Sequence, residues 1–279
     1  MYRSLARRFI FLFVITLALG SIAESAFAGL IMEQVRYQKG STERSKGKIY
    51  VSNNKIKVAG EGEAVVAVFD LNSGDMIQID NQGKRYVVAK PEEYFKAIQD
   101  ITVKMKAEIQ KQLSQLPPEQ RAKVEEMMKA QGLTPPGENP DPKKLTLKET
   151  NKSETIAGYK SQKFEVYENG TLGEEIWVSN DATFRKEFDL QKMANYIREL
   201  REISENAGGN SNSWSENEKV FKQIYESGFP MRSIDYSVAN ATYIEEIVNI
   251  TKADIPDKEF QPPAGYKKVT LQEMMNLSK

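Results

Sequence analysis

The sequence predicts an α+β fold in which one antiparallel sheet is interrupted by a helical excursion. Three observations predict it. Between residues 30 and 89 apolar and polar residues alternate between turn clusters; from Pro91 the apolar period lengthens to about 3.6; from Leu145 the alternation returns. Neither group of strands alone is large enough to bury both faces of its own sheet, so the two groups are read as one sheet.

The elements follow in order. "GLIMEQVRYQKG" alternates as a first strand, and Ile49 and Val51 precede an Asn53-Asn54 turn with Ile56 and Val58 after it, the pattern of a hairpin with one buried face. Residues 64–71, 75–80 and 84–89 read as three more strands, joined by Asn-Ser-Gly and Asn-Gln-Gly turns. Phe95, Ile98, Met105, Ile109, Leu113 and Leu116 then recur at helical spacing, with Thr102 in the same stripe. Pro117-Pro118 ends that helix and opens a second, because proline fits a first helical turn and not an interior one. The second helix carries Val124, Met127 and Met128 and ends at Gly132. The Pro-rich stretch "LTPPGENPDPKK" is expected to be an exposed linker.

Strands resume at 145–149 and in "TIAGYKSQKFEVYENGTLGEEIWVSND", where two amphipathic strands flank an Asn169-Gly170 turn. Parity turns Phe164, Val166, Ile176 and Val178 inward and Lys163, Glu165, Glu175 and Ser179 outward. Trp177 falls on the outward side, so either another element covers it or it makes a partner contact. One helix is expected over about 184–206, with Leu190, Met193, Ile197 and Leu200 as its buried stripe. Ser215 and Glu218 form a capping-box signature for another, bearing Val220, Phe221, Ile224 and Tyr225. Strands over 230–238 and 242–252 and a short terminal helix complete the chain.

The first 28 residues read as a secretory signal peptide. Arg3, Arg7 and Arg8 precede a short apolar segment, and Ala26-Phe27-Ala28 offers a small-x-small cleavage site, so the mature chain should begin at Gly29. The apolar segment is shorter than the roughly 20 residues needed to cross a bilayer. A soluble periplasmic or secreted protein is expected, with no transmembrane segment once the signal is removed. Without residues 1–28 the chain holds 36 basic and 38 acidic side chains, a net charge of about −2, which recommends no nucleic-acid partner.

The chain has no histidine and no cysteine. That removes disulfides, the common zinc, copper and haem ligand sets, and the Ser-His and Cys-His nucleophile pairs. No catalytic residue, metal ligand or cofactor site is expected, and the carboxylates read as solvated faces. Gly60-Glu61-Gly62 lacks the third glycine and the following helix of a dinucleotide fingerprint. Asp70 to Asp75 misses a calcium loop, with its glycine one place early and Asn81 where a bidentate Glu belongs. Asn151, Asn169, Asn240, Asn249 and Asn276 lie in N-x-S/T sequons.

What remains is apolar surface. A sheet face with apolar helices laid against it makes either a dry core or a lined cavity, and the pattern alone fits both. The candidate lining is Val66, Val68, Phe164, Val166 and Ile176 from strands, and Met105, Met127 and Met128 from helices, where methionine suits either core filling or an adaptable pocket. Val65 and Phe69 compete with Val66 and Val68 for the same face.

"LPPEQRAKVEEMMKAQG", "TIAGYKSQKFEVYENG", "EEIWVSND" and the closing "PPAGYKKV" resemble an uncharacterised family of bacterial secreted proteins known as a domain of unknown function, DUF4412, over about residues 31–266. That family is similar in strand order to the LolA, LolB and RseB lipoprotein-carrier group. The resemblance implies a curved antiparallel sheet forming an open half-barrel, with helices packed on the concave face. It further implies a single domain over 29–279 with a helical insert at about 91–143, and a non-enzymatic periplasmic role in binding or carrying an apolar ligand. The partner would be a lipid or a lipoprotein acyl chain. The alternative is an envelope protein-protein interaction or sensor module with a filled core, its partner another envelope protein.

Overall fold

The structure, a computed structural model, describes residues 29–130, 144–196, 214–236 and 241–274. The signal peptide read over 1–28, most of the linker and the far end of the helix read over 184–206 lie outside the described residues.

Two antiparallel meanders join edge to edge into one sheet of twelve strands. The first comprises β1 (Leu30–Gln38), β2 (Ser45–Ser52), β3 (Lys55–Gly60), β4 (Val65–Asp70), β5 (Asp75–Asp80) and β6 (Arg85–Ala89). The second comprises β7 (Leu145–Ile156), β8 (Tyr159–Glu168), β9 (Thr171–Ser179), β10 (Phe229–Asp235) and β11 (Tyr243–Lys252). They meet at the middle of the sheet, where β1 runs antiparallel to β11 with Leu30 opposite Lys252 and Gln38 opposite Tyr243. A short β12 (Lys267–Lys268) adds to β6 in parallel, so β12 and β7 are the two edges and the sheet stays open. The fold class is the expected one: α+β, an open, curved, mostly antiparallel half-barrel.

Turn chemistry explains the tight hairpins. Asn53 (φ 51°) and Asn54 (φ 63°) are both left-handed, as are Asn169 (φ 51°) and Gly170 (φ 83°), the backbone a two-residue turn between twisted strands requires. Ala157 (φ 48°) and Gly158 (φ 86°) do the same between β7 and β8, where the alanine lacks the side-chain polar group that eases this conformation in asparagine.

Proline places the helices of the excursion. Pro91 is the first residue of α1 (Pro91–Ser114), whose start is closed by the Lys90 N–H donating to the Glu93 carboxylate at 2.9 Å. Pro118 opens α2 (Pro118–Ala130), and Arg121 reaches back to donate to the Leu113 carbonyl at 3.0 Å, satisfying an end group of α1. The helix expected over 184–206 is broken. Asp181 caps α3 (Ala182–Glu187) by accepting from the Thr183 N–H, Phe188 is extended, and a new helix, α4, runs over 190–196. Asp189 accepts from the Gln191 N–H at 2.8 Å, and the β2–β3 turn docks on the break: the Asn54 N–H donates to the Glu187 carbonyl while its side-chain oxygen accepts from the Asp189 N–H. Periodicity missed the break because an aspartate inside a helical pattern is also a ready N-cap. Two further helices follow, α5 (Trp214–Ser227) and α6 (Leu271–Met274).

Both faces of the sheet are covered. On the concave side Leu30, Met32, Val51, Ile56 and Ile247 pack under Phe184, Phe188, Leu190 and Tyr196 of the α3–α4 segment. Phe184 is fully buried, stacked 5.1 Å from Phe229 and tilted 5.0 Å from Tyr159. Beside this cluster α5 lays Val220, Phe221 and Ile224 on Phe164, Val166, Ile176 and Val178. The convex side corrects the expectation of one-faced strands. After β11 the chain crosses the outside of the sheet to β6, burying Ile255 and Phe260 on Ala59, Val66, Val68 and Ile79. This arm is fixed by Lys55–Asp257 (3.0 Å) and Lys57–Glu259 (3.4 Å) ion pairs and by the Tyr266 hydroxyl donating to Asn81 (3.0 Å).

Candidate functional site

Between the concave face and helices α4 and α5 the packing leaves a cavity of about 330 Å³. Its floor comes from alternate residues of neighbouring strands. Ile49 on β2 lies opposite Val58 on β3, and Ile56 on β3 opposite Phe69 on β4, which places all four on one face. Met231 and Ile247 continue the floor across the middle of the sheet, and Ile176 closes it on β9. Met193 and Tyr196 of α4 and Ile224 and Tyr225 of α5 form the roof. The Tyr196 ring meets Phe69 edge to face at 5.9 Å, so a side chain on the roof clamps one on the floor.

Of the residues read from the sequence as lining, Ile176 is at the cavity. Phe164 and Val166 are its buried neighbours under α5 and do not line it. Val66 and Val68 are buried on the convex side beneath the arm, with Ile255 and Phe260, so the parity chosen for β4 is corrected. Met127 on α2 is 52% exposed and Met128 half-buried, and neither lines the cavity; the side chain of Met105 lies outside the described residues. No described residue of α1 or α2 lines it, whereas α4 and α5 do. The residues missed as lining were partly visible: the Ile49–Val58 hairpin alternates clearly, and Phe69 was the stated competitor on β4.

The rim is polar: Gln34, Glu174, Arg232, Ser233, Glu245 and Glu246. Arg232 donates to Glu246 at 2.7 Å and to both carboxylate oxygens of Glu154 at 2.8 and 3.1 Å. Burial pulls its pKa down, but the hydrogen bonds from these two carboxylates outweigh that and hold it above the ordinary arginine value. The same guanidinium lies 5.8 Å from the centre of the Trp177 ring, which is how a half-buried tryptophan sits on the outward parity of β9. The next outward residue across the ladder is Lys163, opposite Trp177 and only 6% exposed. It is paired with Glu175 at 2.6 Å and Glu165 at 3.2 Å. A hydrogen bond from the Tyr167 hydroxyl, followed by those from Lys163 and Lys148, lowers the Glu165 pKa to about 2 against burial.

Among the described residues no group of three or more Asp or Glu side chains is arranged to hold a metal ion, and no helix is long and apolar enough to cross a membrane. The arrangement suits reversible binding: an apolar interior, a charged rim and roof helices resting on side-chain contacts.

The chain is similar to solved structures at low identity. A structure of PNGF-II in the C2 space group is 9% identical with a TM-score of 0.42 over 90% of this chain, which spans 32% of that one. The MucA/MucB complex of Pseudomonas aeruginosa is 10% identical with a TM-score of 0.38 over 87% of this chain and 58% of the other. A domain described as an outer membrane lipoprotein-sorting protein of Vibrio parahaemolyticus is 6% identical with a TM-score of 0.28, over 84% of this chain and 90% of that one. No curated protein sequence matches. The model of one sequence family matches residues 70–266, from the end of β4 to the end of the arm, and the chain therefore belongs to that family, the domain of unknown function DUF4412.

Proposed function

We infer that the protein is a non-enzymatic binder or carrier of an apolar ligand, held on the concave side of the half-barrel and working outside the cytoplasm. The cavity carries this reading. Protein interiors are packed with few voids larger than a water molecule, and a space of about 330 Å³ with aliphatic and aromatic walls is instead at the lower end of ligand pockets, roughly 300–1,000 Å³. The floor draws on both meanders and the roof on two helices, so the hollow belongs to the whole sheet. The signal-like first 28 residues support export, and the absence of histidine and cysteine supports binding over catalysis. An interaction module with a filled concave face fits less well, because the concave side is hollow.

The test is titration with N-phenyl-1-naphthylamine, a neutral dye that fluoresces in apolar surroundings. Saturable binding of one dye per chain is expected, lost in Ile224→Asp. Absence of saturable binding by a folded protein overturns the reading.

A further inference from the structure

The rim of the cavity selects the head group of the ligand, an inference that rests on the apolar-ligand reading above. Along β11 Ile247 is 3% exposed, while Glu245, two residues away on the same side of the strand, is exposed at the rim. β9 repeats the step, with Ile176 on the floor and Glu174 two residues outward. Ser233 of β10 lies between them in register, opposite Ile176 on one side and Glu245 on the other. Apolar wall thus gives way to carboxylates at one level across three adjacent strands. The rim holds Glu174, Glu245 and Glu246 against one guanidinium, Arg232, which is already paired with Glu246 and Glu154. An anionic head would meet net negative charge with its one cationic partner engaged, whereas an ammonium would be attracted.

We propose that the cavity takes a single-chain amphiphile with a cationic head, an alkylammonium, in preference to the alkyl carboxylate of the same chain length. The tail occupies the space beneath Tyr196 and the head sits at the level of Glu174 and Glu245.

Calorimetric titration of the protein with dodecyltrimethylammonium, dodecyl maltoside and dodecanoate, each below its micelle-forming concentration, tests this. The expected order is cationic, then neutral, then anionic, with about tenfold between the extremes at low salt and less when salt shortens the screening length. Glu245→Gln should cut the cationic-to-anionic ratio to about threefold. Because both ligands are measured on the same variant, partial unfolding cancels from that ratio. Dodecanoate binding as tightly as the ammonium, or a ratio unmoved by Glu245→Gln, overturns the proposal while leaving the apolar-ligand reading standing. Failure of all three to bind overturns both.

Discussion

Adjacent residues of β4 report on two different interiors. Val68 is fully buried between the sheet and the arm, while Phe69 points into the cavity against Tyr196. A carboxylate at Val68 has neither water nor a partner, so Val68→Asp should cost several kcal/mol, about 3 or more, in chemical denaturation. Phe69→Asp places its charge where water can follow, so it should cost less stability and abolish dye binding. Equal losses of stability at the two positions would mean that the cavity behaves as solid core. Glu165 gives the second test at this scale. Its pKa is lowered from 4.5 to about 2 in the folded protein, so its ionised form is favoured by folding, and the stabilisation is fully present above pH 4.5. It should drain away as the pH falls from 4.5 to about 2, and Glu165→Gln should flatten the denaturation midpoint over that window. A variant with the unaltered acid slope would show that the Tyr167, Lys163 and Lys148 contacts do not persist in solution.

Elements were legible where one physical signal decided them and obscure where two competed. The Asn53-Asn54 and Asn169-Gly170 turns, the proline starts of α1 and α2 and the strands they bound were readable because turn backbone and proline geometry are local properties. The break at Phe188–Asp189 was not, since the docking of Asn54 that holds it comes from residues far away in sequence. "VVAVF" at 65–69 is apolar on both parities because both sides of β4 are covered, and alternation cannot tell which side faces the hollow. The arm was invisible for a related reason: residues 253–266 have no period, and their apolar side chains act singly, each filling a site on a different strand. Phe260 is the main one, 3% exposed on a short helical turn. Phe260→Ala should cost about 3–5 kcal/mol, read by thermal or chemical unfolding. A loss below about 1 kcal/mol would mean that the arm lies loosely on the sheet.

Across the whole molecule, the excursion from β6 to β7 joins strands at opposite ends of the sheet, ten strand steps apart and roughly 48 Å along its arc. The 24 residues of α1 alone run about 36 Å, so the excursion can bridge a curved sheet without unwinding. Each meander is continuous in sequence, and the second embraces the first: α3 and α4 lie on its concave side, the arm on its convex side, and β11 along β1. Cleavage of the chain between residues 131 and 143 should therefore leave two fragments that elute together in gel filtration and still bind dye. Fragments that separate under native conditions would show that the covalent link, not the embrace, holds the halves. The pairing of β1 with β11 also orders events in time. The strand made first finds its neighbour only in one made almost last, so the middle of the sheet cannot close until synthesis of the chain is nearly complete. Until then β1 waits with one side unpaired, and most of the chain stays open and extended, the state in which a polypeptide can be threaded through a narrow channel.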